Sequence, residues 1–207
     1  MYAYCGNNPV NHYDPAGNYY VHTEDRITTG DNGRGGVPVP KPTYIKNQYM
    51  EGIGNLRLGV TTVAHGGCGV IASYNTLLDL GVNREFECVL RDYNSALGSK
   101  LFIGALLGIT TNSVARYFRN FGFTVKVTDD LQEIDNLSGI ADGCILYYRW
   151  DSDVWCLPYY AHFVSYHPEG DGYLGYNING GAWRFTSPSS FVNEQNGIYA
   201  KGIFIFK

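Results

Sequence analysis

Between positions 69 and 80 the apolar residues Val70, Ile71, Tyr74, Leu77 and Leu78 recur at the spacing of one helical face, and Gly81 is placed to end the helix. A second helix follows, carried by Phe86, Val89, Leu90 and Tyr93, with Asn83 as its cap. The apolar stretch Leu101 to Leu107 reads as a third. Thr111 or Asn112 can cap a fourth bearing Val114, Tyr117, Phe118 and Phe121, with Gly122 at its end. From residue 123 the period changes to two: Phe123, Val125 and Val127 alternate with Thr124, Lys126 and Thr128, as in a half-buried strand. Further strands are expected over Cys144 to Trp150, Ala161 to His167, Tyr173 to Ile178 and Gly202 to Phe206. Helices followed by strands, with few β-α-β alternations, predict an α+β fold with a helical amino-terminal half and an antiparallel sheet.

The first fifty residues follow neither period. Five of the eight prolines lie within residues 1–42, and the glycine-rich stretch Gly30 to Gly36 runs into Val37-Pro38-Val39-Pro40-Lys41-Pro42. Flexible chain passing into stiff, extended chain is a linker, placed here over residues 18–50. The domain proper is expected over 51–207.

Composition narrows the function. A chain of 207 residues, 44% hydrophobic with 18 Tyr and 10 Phe, can bury a core, and its net charge of −4 without a basic run gives no footprint for nucleic acid. The longest apolar stretch, Leu101 to Ile109, is too short to span a bilayer, so no membrane span is expected. Cys5, Cys68, Cys88, Cys144 and Cys156 are odd in number and scattered. Neither a disulfide framework nor a metal site is indicated, and no cofactor is called for.

The sharpest chemical feature is His65-Gly66-Gly67-Cys68-Gly69-Val70, a thiol at the first turn of the most apolar helix. Unpaired N–H groups at a helix amino terminus favour thiolate. The flanking glycines leave room for a substrate backbone, and the Cys68 N–H can face a developing oxyanion. A nucleophilic cysteine needs a base. The strand Ala161-His162-Phe163-Val164-Ser165-Tyr166-His167 offers two histidines five positions apart, hence on opposite faces. His162 lies inside the apolar run, whereas His167 adjoins the turn Pro168 to Gly172 and reads as a solvent-edge residue. An orienting group would come from the next strand. Asn177 and Asn179 share a face there, and Asn177 lies more firmly within the strand; Asp151, Asp153 and Asp171 are alternatives.

Gly67-Cys68-Gly69 opening a helix, Ala161-His162-Phe163-Val164 on a strand and Tyr176-Asn177 on the next resemble the papain-like cysteine peptidases, and more closely the branch holding the bacterial double-glycine leader peptidases. The block from Phe102-Ile103-Gly104 to Gly122 is similar to that branch as well. The resemblance covers roughly residues 51–207. It implies a papain-like fold and hydrolysis of peptide bonds through a thioester, with Cys68 as nucleophile, His162 as general base and Asn177 as orienting group. The family's oxyanion glutamine, a few residues before the cysteine, is replaced by Thr61 to His65; Thr62 and His65 are the substitutes at hand. Deamidation or transglutamination of glutamine would use the same residues, and a catalytically inactive binding module would keep the fold without turnover.

Residues 1–17 carry Tyr2-Ala3-Tyr4, Asn7-Asn8-Pro9-Val10-Asn11 and Asp14-Pro15-Ala16-Gly17, and resemble the end of an Rhs repeat-associated core. That resemblance implies a polymorphic-toxin domain released from a longer polypeptide: a secreted antibacterial effector, acting on protein or peptide in the cytoplasm of a target cell and matched by a cognate immunity protein.

Overall fold

The computed structural model describes residues 12–13, 21–22, 43–97, 109–151 and 159–207. The expected helix at Leu101 to Leu107, most of the Rhs-like segment, the Gly/Pro-rich run and Asp153 lie outside them. Near the amino terminus, β1 (His12–Tyr13) pairs antiparallel with β2 (Val21–His22).

The centre of the molecule is an antiparallel sheet of six strands: β5 (Thr124–Thr128), β6 (Gly143–Asp151), β7 (Tyr159–Glu169), β8 (Gly172–Ile178), β9 (Gly181–Phe185) and β10 (Tyr199–Phe206). Their spatial order is β5-β10-β6-β7-β8-β9. The central strands read as nearly continuous apolar runs because both their faces are covered. Ile203 and Ile205 of β10 enter one core, with Ile145 and Phe163, while Phe204 enters the other, with Leu146, Val164 and Tyr166. The edge strand β5 keeps the two-residue alternation predicted for it, with Val125 and Val127 packed inward.

The first core lies beneath α2 (Cys68–Asp79), α3 (Phe86–Leu97) and α4 (Thr111–Asn120). The α+β class with an antiparallel sheet is therefore as predicted. The strict division into a helical half and a sheet half is not. Two helices interrupt the strands, α5 (Leu131–Ser138) and α6 (Pro188–Glu194), and supply Ile134, Leu137, Phe191 and Val192 to the second core. Both had legible starts. The Asp130 side chain caps α5 at the Glu133 N–H, and Ser187 forms a capping box with Ser190 ahead of Pro188. Caps are also where two expectations shift. Thr110, one residue earlier than predicted, caps α4, and α3 begins at Phe86, later than a cap at Asn83 would place it.

Helix α2 is buried on nearly all sides, so its polar residues need internal partners. Ser73 donates to the Gly69 carbonyl and meets the Tyr93 hydroxyl at 2.6 Å. Asn75 accepts from the N–H of Ile45 at 2.9 Å and donates to its carbonyl at 3.0 Å. Residues 43–48, which fall in the expected linker, are thus held against the core: Ile45 is buried, and the Tyr44 hydroxyl donates to Asp79 at 2.7 Å. The anchored chain starts before residue 51 because α2 needs a polar lid as well as apolar neighbours.

Candidate active site

The approach to α2 is a short hairpin, β3 (Arg57–Leu58) with β4 (Thr61–Thr62), followed by the single-turn α1 (Val63–Gly66). Gly67 ends α1 and starts α2, so the chain corners within one residue and Cys68 takes the first helical position. The glycines serve this corner. A Cβ on Gly67 would stand 2.6 Å from the Val63 carbonyl, and one on Gly69 would stand 3.0 Å from Ile109 and 3.5 Å from Phe163. The space beside them holds the protein's own atoms, whereas substrate access was the expectation.

His162 comes to Cys68 from β7, within hydrogen-bond reach of the thiol. Burial raises the thiol's pKa, but the hydrogen bond and charge of His162 outweigh it. Main-chain hydrogen bonds from Phe163 and Gly69 act in the same direction, and Cys68 lies below the ordinary thiol range. The imidazole is moved the other way. Burial lowers it, and the bond to Cys68, the thiolate charge and Asn177 together hold it above the usual value. Each shift favours the charged form of its own group.

Asn177 meets His162 by its main chain. His162 Nε2 lies 2.5 Å from the Asn177 carbonyl oxygen, which leaves Nδ1 as the ring nitrogen for sulfur. The ladder between β7 and β8 stops at Ser165 and Tyr176, and a bulge between Tyr176 and Ile178 puts Asn177 at φ 65°. The turned peptide offers the ring its carbonyl where a ladder bond would otherwise form. Asn179 is exposed in the turn after β8, Asp171 lies in the turn at the far end of β7, and Asp151 is exposed at the end of β6.

The Asn177 side chain is engaged elsewhere. It accepts from the Gln48 N–H at 2.9 Å and donates to Gln48 Oε1 at 3.2 Å, while Gln48 Nε2 donates to the Ala64 carbonyl at 2.7 Å. Gln48 therefore ties the chain just before Cys68 to the residue that holds His162. Sequence reasoning missed it: it lies in the expected linker, and nothing local connects it to a strand 129 positions later. Thr62 and His65, the substitutes for an oxyanion glutamine, are paired with each other at 3.0 Å.

His167 is a correction. Its Nδ1 lies 3.0 Å from Asp79 at the carboxyl end of α2, and its ring is tilted against the stacked pair of Tyr44 and Tyr176, so it is half-buried and not at the solvent edge. A turn-adjacent histidine is drawn inward here because a buried carboxylate needs a donor. The single helix α2 thus meets a thiol–imidazole pair at its positive end and a carboxylate–imidazole pair at its negative end.

Among the described residues no cluster of His, Cys, Asp or Glu could hold a metal ion, Cys68 and Cys144 are free thiols, and no helix is long and apolar enough to cross a membrane. No protein-family model matches the chain, and a search of curated proteins finds no match either.

Proposed function

We propose that this chain is a cysteine peptidase of papain-like fold, acting as the toxin domain of an Rhs-type antibacterial effector. The observation that carries the reading is the meeting of Cys68, first residue of a buried helix, with His162 on the antiparallel sheet, its far ring nitrogen on a main-chain carbonyl. Cys68 Sγ attacks the scissile carbonyl carbon, forming a C–S bond as the π electrons move to oxygen. The Cys68 N–H, at a helix position with no intrahelical acceptor, faces that oxyanion. Collapse to the thioester breaks the C–N bond, and the His162 imidazolium gives its proton to the leaving amine. His162 then takes a proton from water, whose oxygen displaces sulfur and releases the acid. The opposed shifts of Cys68 and His162 favour this over an inactive binding module.

The Tyr2 to Gly17 segment supports export as part of a longer polypeptide and action in the cytoplasm of a target cell, against protein or peptide, with an immunity protein as partner. Expression of wild type and Cys68→Ala inside bacteria tests the reading: growth arrest by wild type alone, with new peptide termini in the proteome, is expected. Equal toxicity of the two removes cysteine chemistry. Ammonia release without new termini gives the site to glutamine deamidation or transglutamination instead.

A further inference from the structure

Helix α2 covers only part of the sheet face it packs on. The Phe163 main chain meets the Cys68 sulfur, Tyr147 senses the charge of Cys68, the Phe163 and Tyr147 rings are 4.9 Å apart, and the strands run on beyond them. Tyr199 pairs with Arg149 in the ladder and Lys201 with Tyr147, so these residues and Tyr147 share the α2 side. Tyr159 there is 40% exposed, and Ala161 is exposed.

The strip carries two cations, Arg149 and Lys201, with the exposed Asp151 opposite Tyr159 at its outer end. The Arg149 guanidinium stands 4.1 Å from the centre of the Tyr199 ring and 4.6 Å from that of Tyr159. Lys201 Nζ lies 5.8 Å from the Tyr199 ring. Tyr199 is itself fixed, its hydroxyl donating to Asp129 at 3.1 Å. None of the ion pairs among the described residues includes Arg149 or Lys201, and Arg149 Nε is buried without a hydrogen-bond partner. Two tyrosines holding a guanidinium plane leave its terminal N–H groups for a planar anion. Arg149 is two residues past Tyr147 on β6, about 7 Å at the rise of a strand, and Tyr147 senses the charges of both Arg149 and Cys68, which puts the guanidinium on the side of the cysteine where neighbouring residues of a bound peptide would run.

We propose that this strip is a substrate subsite, in which Arg149 binds a carboxylate carried by the peptide one or two residues from the scissile bond. The inference rests on the cysteine-peptidase reading and adds the substrate class to it. The probes are tripeptide vinyl sulfones in matched pairs, Glu against Gln, at the first or second residue from the electrophile. Sγ adds to the alkene and the adjacent carbon takes a proton, so no leaving group is needed. Intact mass gives the rate of Cys68 modification. Wild type is expected to prefer Glu by about tenfold at one of the two positions, the scale of a charge-assisted hydrogen bond. Arg149→Gln should bring that ratio within about twofold, and Arg149→Lys should keep part of it. The rate with iodoacetamide, too small to reach the strip, should be unchanged in both and also reports an intact site. A wild-type ratio near one at both positions overturns the subsite, as does a preference that survives Arg149→Gln. If iodoacetamide labels wild type no faster than His162→Ala, the cysteine–histidine reading fails first and the subsite with it.

Discussion

A thiol taken out of water is harder to ionise unless something charged or polar meets its sulfur. Cys68 is held on the acid side of an ordinary thiol because His162 and two main-chain groups do so. Its alkylation by iodoacetamide should therefore rise with pH at a midpoint below that of a free cysteine. His162→Ala leaves burial with less to oppose it: the midpoint should move upward and the rate at pH 7 fall by about tenfold or more. An unchanged profile would mean that the two side chains do not interact in solution. Asn177 makes a different test. Because its carbonyl holds the imidazole and its φ is 65°, Asn177→Gly should keep the alkylation profile within about threefold of wild type. Asn177→Ala, forced into the left-handed region and stripped of its bonds to Gln48, should cost about 2 kcal/mol in denaturant unfolding. Equal loss of Cys68 reactivity in both variants would return the orienting role to the side-chain amide.

At the scale of elements, the corner between α1 and α2 and the two ends of α2 govern the site. Gly67→Ala places a methyl group 2.6 Å from main-chain oxygen, and Gly69→Ala presses one on Ile109. Each should destabilise by about 1–3 kcal/mol in urea melts, with Gly67→Ala the larger, since side chains give way more easily than backbone. At the other end, the hydrogen bond from His167 to Asp79 raises the imidazole's pKa, burial opposes it, and the charges of Asp79 and Glu169 add to it. A folded-state pKa above the unfolded value of about 6.5 means that this pair stabilises fully below that pH. The stability is lost as pH rises through the folded-state value. The melting temperature of wild type should thus fall relative to that of His167→Gln as pH rises from about 6.5 through the folded-state value; parallel curves would show that the pair does not titrate with folding.

For the molecule as a whole, the boundary of the folding unit is the point at issue. Ile45, Tyr44 and Gln48 bind α2, Asp79 and Asn177, so removal of residues 1–42 should leave the melting temperature nearly unchanged. Removal of residues 1–50 should lower it by several degrees and slow Cys68 alkylation. Identical behaviour of the two truncations would place the boundary at 51 after all.

Much of this architecture was legible along the chain. The apolar period of Val70, Ile71, Tyr74 and Leu77 named α2 nearly to the residue, and the alternation around Val125 and Val127 named β5, because both patterns record which side of one element faces a core. Helices α5 and α6 are announced only by the caps Asp130 and Ser187-Pro188, since short amphipathic turns between strands give little period to read. Cys68, His162 and Asn177 stood out as residue types in a setting, a thiol at a helix start and polar groups inside apolar strands. Sequence by itself determined that local chemistry, because a residue's helix position and strand face depend on its near neighbours. Tertiary structure alone decided that Asn177 meets His162 through its carbonyl, that Gln48 is bonded to its side chain, that Gly67 and Gly69 are packed against the protein's own atoms, and that His167 turns inward. Each of these depends on atoms far apart in the chain, and a hydrogen bond between distant segments leaves no periodicity in either of them.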